Sequence, residues 1–296
     1  MFVVPPLGGK AAATKPQVPV KTGTTNETVP DYEPEQGLPE ILIDNALPWL
    51  MFAIAGVIAG IINTLAGSGS LITLPIFMFL CGLPANIANG TNRVGVIFQS
   101  AIGLRSYQKS GAVDFTGSRW IIAPVICGSI LGAVLAAGMN DRQMTNVIGG
   151  LMVVMLVVLT INPKRWLRES DSSTRNNRSW ASMLIYFVIG IYGGFIQAGV
   201  GILLLIALVM VSKYSLKEGN GVKLLVVLSF AIPTLAVFIW NNQVHFGYGI
   251  AMAGFQSLGA VLGVRFATRV PNANLWIHRL LILILIVAAS KIFFFR

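Results

Sequence analysis

Within the apolar stretches of this 296-residue chain, the side chains able to do chemistry are few. Asn63 is followed by Gly67, Ser68, Gly69 and Ser70, and Thr91, Asn92 and Arg93 stand together further on. Gln197 and Lys223 complete the set. These groups offer hydrogen-bond donors or positive charge, and no Asp or Glu falls well inside an apolar run. Donors and cations without carboxylates describe a site for an anion. The Arg93 guanidinium can grip an oxyanion through two parallel bonds, and Lys223 adds a point charge. Asn63 and Gln197 can donate from their amides. Ser68, Ser70, Thr91 and Asn92 fall near helix starts, where free N–H groups and the helix dipole favour negative charge. The Gly67 and Gly69 backbone can form an anion nest. A plainer alternative stands beside each reading. The cations snorkel to the interface, the amides stitch helices together, the hydroxyls cap helices and the glycines allow close packing. His245 and His278 sit at expected helix ends with no partner at metal-ligand spacing, and Cys81 and Cys127 read as small core residues. No metal and no cofactor is expected.

The elements that must hold these groups follow from composition. The chain is 55% hydrophobic and 11% charged, against about 25% charged in a soluble domain. Mean hydropathy is +0.74. The expected class is all-α, a polytopic membrane protein. Apolar runs predict helices near 46–66, 71–83, 88–108, 119–138 and 143–161, then near 181–198, 200–212, 218–240, 247–266 and 275–294. Residues 1–45, rich in Pro, Thr and Gly, read as a disordered tail without a secretory signal. Residues 46–161 form a first membrane repeat, 162–180 a basic loop and 181–296 a second repeat.

The duplication shows in near-constant offsets. Gly56, Gly60, Asn63 and Gly67 recur 134 positions later as Gly190, Gly194, Gln197 and Gly201. At an offset of 131, Asn89-Gly90 matches Asn220-Gly221, and Val113-Asp114-Phe115 matches Val244-His245-Phe246. Gly128-x-x-x-Gly132 matches Gly259-x-x-x-Gly263 at the same offset. The tail carries a net −3 and the remainder +13. That positive balance fits cytoplasmic loops rather than a nucleic-acid partner, and it places the central loop, with Lys164, Arg165, Arg168, Arg175 and Arg178, inside the cell. Five crossings per half would invert one half relative to the other, a recurrent transporter architecture. The second segment of each half is short, about 20 Å long by helical rise, against a hydrocarbon core of about 30 Å. Each reads as a half-crossing, or as part of a re-entrant hairpin, that meets an interrupted helix near the midplane. Interrupted apolar segments in matching positions are the best sequence pointer to a transporter's binding site.

Several of these stretches resemble a known family. Gly56-x-x-x-Gly60 followed by Gly67-Ser-Gly-Ser-Leu and Leu74-Pro75, then Ala88-Asn-Gly-Thr-Asn-Arg93, Ser100, Gly103, Tyr107, Gly111 and Val113-Asp114, are similar to signatures of the TauE/SafE family. In the second half Lys223, Val244-His245-Phe246, Gly249, Gly254-x-Gln256, Gly259, Gly263 and Arg265 are similar to it as well. The chain departs from the family pattern in alternating Ser and Gly over 67–70, and in Arg93 where a Lys is common. The resemblance covers about 46–295 and implies movement of a small sulfur-containing oxyanion, sulfite or organosulfonate, across a membrane.

The function expected is that of a secondary transporter, with the lipid bilayer and a small anionic substrate as its partners. A channel-like anion pathway is the neighbouring alternative. A membrane enzyme is the alternative of another class, disfavoured because no span carries paired carboxylates, a His cluster or a nucleophile beside a base. With no carboxylate relay, efflux can run on the membrane potential, which gives about 2.3 kcal/mol per charge per 100 mV. Anion flux in proteoliposomes is therefore expected to follow an imposed potential and to persist without a pH gradient. Flux that required the pH gradient and ignored potential would contradict this.

Overall fold

The computed structural model describes residues 46–109, 113–160 and 179–269, and every regular element in them is helical. In order they are α1 (Ala46–Ala66), α2 (Ser70–Pro75), a π-helical turn (Ile76–Leu80), α3 (Ala85–Lys109), α4 (Phe115–Ala137) and α5 (Asp141–Thr160). The second half supplies α6 (Trp180–Phe195), α7 (Val200–Met210), α8 (Leu216–Trp240) and α9 (Phe246–Arg269). The segment expected near 275–294, the tail 1–45 and nearly all of the central basic loop lie outside the described residues.

Among the described residues, four helices are long and apolar enough to cross a membrane: Ala46–Ala66, Phe115–Ala137, Lys217–Trp240 and Phe246–Arg265. The second segment of each half is short, as expected. Ser70–Leu80 and Val200–Met210 each run 11 residues, about 16 Å by helical rise. In the first of these, Pro75 lacks the N–H that would continue the ladder, and the chain widens into the π turn where Cys81 N–H reaches Ile76 O at 3.1 Å. Helix α3 differs from the simple spans. It carries Asn89, Thr91, Asn92, Arg93, Gln99 and Ser100, all fully buried, so it serves as a polar axis inside the bundle.

The duplicated glycines now have partners. Gly60 of α1 packs against the backbone at Gln256 and Gly259 of α9, and Gly263 meets Ile61. Gly190 and Gly194 of α6 pack against Val125 and Ser129 of α4, while Gly128 and Gly132 face Phe187 and Ile191. The first helix of each half thus packs on the fourth helix of the other, through small-xxx-small faces that let backbones touch. Details repeat at the offset of 131 as well. Cys81 N–H bonds Ile76 O and Leu83 N–H bonds Phe77 O; Ser212 N–H bonds Ala207 O and Tyr214 N–H bonds Leu208 O. Between them, Gly82 and Lys213 both take positive φ, 66° and 59°. Asp114 Oδ1 accepts from Gly117 N–H at 2.9 Å to cap α4, and His245 Nδ1 accepts from Tyr248 N–H at 3.3 Å to cap α9.

Gly194→Ala would drive a methyl group into the Ser129 carbonyl, whereas a methyl on Gly254 meets nothing within 4 Å. Gly194→Ala is expected to cost about 1–3 kcal/mol or more through overpacking, and Gly254→Ala to gain up to about 1 kcal/mol in helix propensity. Thermal unfolding of the detergent-purified protein should move in opposite directions for the two.

Candidate functional site

Helix α1 runs unbroken past Asn63 and ends only at Gly67, which takes the left-handed conformation (φ 74°) while its N–H closes on Asn63 O at 2.8 Å. The second interruption turns at Gly199 (φ 75°), just before α7. A side chain at either position would be strained, which is why glycine stands there. The two interruptions touch. Gly67 and Gly201 approach so closely that a Cβ on either would strike the other's backbone, and Gly201 N–H donates to Gly67 O at 3.1 Å.

Interrupting a helix frees carbonyls, and these must be satisfied by protein where water is absent. At the end of α6, Ile196 N–H takes Tyr192 O. The next three carbonyls are met from α3. Arg93 Nη1 donates to Gly193 O (3.4 Å) and Nη2 to Gly194 O, while Asn89 Nδ2 donates to Phe195 O (2.9 Å). Arg93 Nη1 also reaches Thr234 Oγ1 (3.0 Å), and the guanidinium lies 4.4 Å over the Phe238 ring. At the end of α1 the partner comes from α8, where Lys223 Nζ donates to Thr64 O at 3.2 Å and to Asn220 Oδ1 at 2.8 Å. Each buried cation therefore sits at the carbonyl end of a helix from the other half, where positive charge is favoured. Arg93 is 0% exposed and Lys223 1%, so neither reaches the surface as a snorkelling side chain would.

Beside the Gly67–Gly201 contact lies a small cavity of about 10 Å³, room for about one water molecule. Asn63, Gly67, Ser70, Ser100, Gln197, Gly201 and Lys223 line it, with Val96, Val200, Leu224 and Val227 between them. Five of the residues singled out from sequence thus come together: Asn63, Gly67, Ser70, Gln197 and Lys223. The Asn63 amide is partly used, since its Oδ1 accepts from Gly69 N–H (3.3 Å) and its Nδ2 donates to Gln99 Oε1 (3.1 Å). By contrast, among the described residues no group hydrogen-bonds to either end of the Gln197 amide or to the Ser100 hydroxyl, although Gln197 is only 2% exposed and Ser100 fully buried. Buried polar groups are nearly always paired, so unpaired ones on a cavity wall mark a place for a polar ligand.

The other five fall outside the lining. Gly69 serves Asn63, as above. Asn92 accepts from Thr73 Oγ1 (2.5 Å) and donates to Ser70 Oγ (2.9 Å), and Thr91 Oγ1 accepts from His245 N–H (2.8 Å). Ser68 Oγ is buried without a partner but away from the cavity, and both terminal nitrogens of Arg93 are held by protein. Sequence reasoning did not count Ser100 among the site residues. The signal that could have found it is Gln99-Ser100, a polar pair in the middle of a long helix. Among the described residues, no three His, Cys, Asp or Glu side chains cluster as metal ligands would.

The profile of the family described as Sulfite exporter TauE/SafE matches residues 52–292. Among similar proteins is a probable membrane transporter protein, ORF9, of Sinorhizobium sp, 24% identical over 214 residues, which cover 72% of this chain and 81% of the relative. Another is the probable membrane transporter protein YfcA of Escherichia coli (strain K12), 24% identical over 253 residues, 86% of this chain and 92% of the relative. A third, the probable membrane transporter protein YdhB of Bacillus subtilis (strain 168), is 21% identical over 231 residues, 76% and 91% of the two chains. No solved structure matches the chain.

Arg93→Gln would orphan the buried Gly193 and Gly194 carbonyls, at about 1–3 kcal/mol each. A lowered melting temperature is expected. Ser100→Ala removes an unpaired buried hydroxyl and should leave the melting temperature unchanged or raised. Thermal unfolding of the two variants side by side checks the contrast.

Proposed function

Because the chain belongs to the TauE/SafE family, we propose that it is a secondary transporter moving a small sulfur-containing oxyanion, of the sulfite or organosulfonate class, out of the cell. The observation that carries this reading is the cavity wall. It combines the Lys223 ammonium, the unpaired Gln197 amide and Ser100 hydroxyl, and the crossing of two interrupted helices, with no carboxylate among the described lining residues. Two of the three Lys223 protons are committed to Thr64 O and Asn220 Oδ1, which leaves one for an anion. The Asn63 Nδ2 has a second N–H to offer, and Val96, Val200, Leu224 and Val227 keep the remaining wall apolar. That is the usual makeup of a small-ligand site, a few convergent polar groups in apolar surroundings.

Transport needs the site to open to each side in turn. In this reading the halves are inverted repeats, and the crossing at Gly67 and Gly201 lies near the midplane, where such folds hold their substrates. Support comes from the reciprocal packing of α1 on α9 and α6 on α4, and from local geometry repeated at the offset of 131. The central basic loop faces the cytoplasm of a cell or inner membrane, in keeping with its lysines and arginines. The membrane potential then favours export of the anion.

Lys223→Gln removes the charge from the cavity and keeps a hydrogen-bonding side chain. Affinity for sulfite, measured by titration of the purified protein, is expected to fall at least about tenfold, and flux into proteoliposomes with it. Unchanged affinity would remove Lys223, and the anion site with it, from the function.

A further inference from the structure

Gln197 lies just beyond the end of α6, with neither its Nε2 nor its Oε1 hydrogen-bonded to any group among the described residues. A side-chain amide carries donors at one end and an acceptor at the other, and its two orientations have nearly the same shape. Whichever way it is turned, one end is a buried acceptor on a residue of the cavity wall. An oxyanion without hydrogen on oxygen or nitrogen has only acceptors to offer. It can satisfy the NH₂ end, but it sets lone pair against lone pair at the other. A site built to bond a ligand's hydrogen rejects the analogue that lacks it, because the protein group is then left unpaired. Charge restricts the ligand in the same direction. Among the described residues Lys223 is the single cation in the cavity lining and no acidic group there offsets it, so one negative charge is balanced there and a second is not.

We propose that the site selects a monoanion that brings its own hydrogen-bond donor. Hydrogen sulfite and hydroxy-substituted sulfonates have that chemistry; sulfate and plain alkylsulfonates do not. The Gln197 oxygen accepts the ligand's O–H, and Lys223, Ser100 and the Asn63 amide face its anionic oxygens. This rests on the anion-site reading above and narrows it, making Gln197 a specificity-determining residue and Ser100 a ligand-binding one.

Hydroxymethanesulfonate and ethanesulfonate are monoanions of equal heavy-atom count that differ in having OH or CH₃ at one end, which makes them the probes, with sulfate as the dianion. Calorimetric titration of the full chain in detergent, at one neutral pH, is expected to show hydroxymethanesulfonate binding at least about tenfold more tightly than ethanesulfonate, with sulfate weakest. In Gln197→Leu the two sulfonates should come within about twofold of each other. Gln197→Met, closer in shape, is the second variant should the first fail to fold. Equal binding of the two sulfonates by the unsubstituted protein, as when a water occupies the acceptor, overturns the proposal. A preference that survives in either variant overturns it too. If the sulfonates bind equally and Lys223→Gln abolishes both, the anion site stands and only the donor requirement falls. If neither these three anions nor sulfite binds, both readings fall together.

Discussion

Two buried cations at the carbonyl ends of two interrupted helices are what the rest of the structure depends on. A helix that stops within a bilayer leaves carbonyls that lipid cannot satisfy, and a cation buried alone would be more costly still. Arg93 on the end of α6 and Lys223 on the end of α1 resolve both difficulties at once. The helix supplies the negative end of its dipole, and the side chain supplies charge and donors. With its carbonyls met, the backbone can turn at Gly67 and Gly199, and the short helices α2 and α7 can begin inside the bundle. The cavity exists because of that turn.

The scaffold is shared between the halves more evenly than its chemistry. At the offset of 131 the position of Lys223 is occupied in the first half by Asn92, which is spent between Thr73 and Ser70. Arg93 corresponds to Leu224, an apolar part of the cavity wall. The first half's cation is thus enclosed by protein, with its guanidinium over Phe238, while the second half's reaches the cavity. Among the described residues the cavity thus has a cation on one wall only.

Much of this was legible in the sequence because it is written twice. The breaks, the short second helices and the small-residue faces announced themselves by recurring, and the helix expected near 46–66 is α1, Ala46–Ala66. What recurrence could not show were features that occur once. Ser100 corresponds to Ala231 and Gln99 to Phe230, so a search guided by the repeat passes over both. The engagement of Arg93 was hidden for another reason. An arginine in an apolar run carries no mark of which oxygens it will meet, and the Gly193 and Gly194 carbonyls lie 100 and 101 residues away along the chain. Backbone acceptors have no letter in the sequence.

The exchange of caps between halves also sets an order on how the chain comes to be made. Thr64 and the lysine that meets its carbonyl are 159 residues apart, so α1 enters the membrane long before its partner is synthesised. Until α8 emerges, the end of α1 must find water, a lipid headgroup or the insertion machinery to stand in. The end of α6 faces no such wait, since Asn89 and Arg93 precede it. The two caps thus differ in chain order: the end of α6 meets partners made before it, and the end of α1 gains Lys223 only with α8.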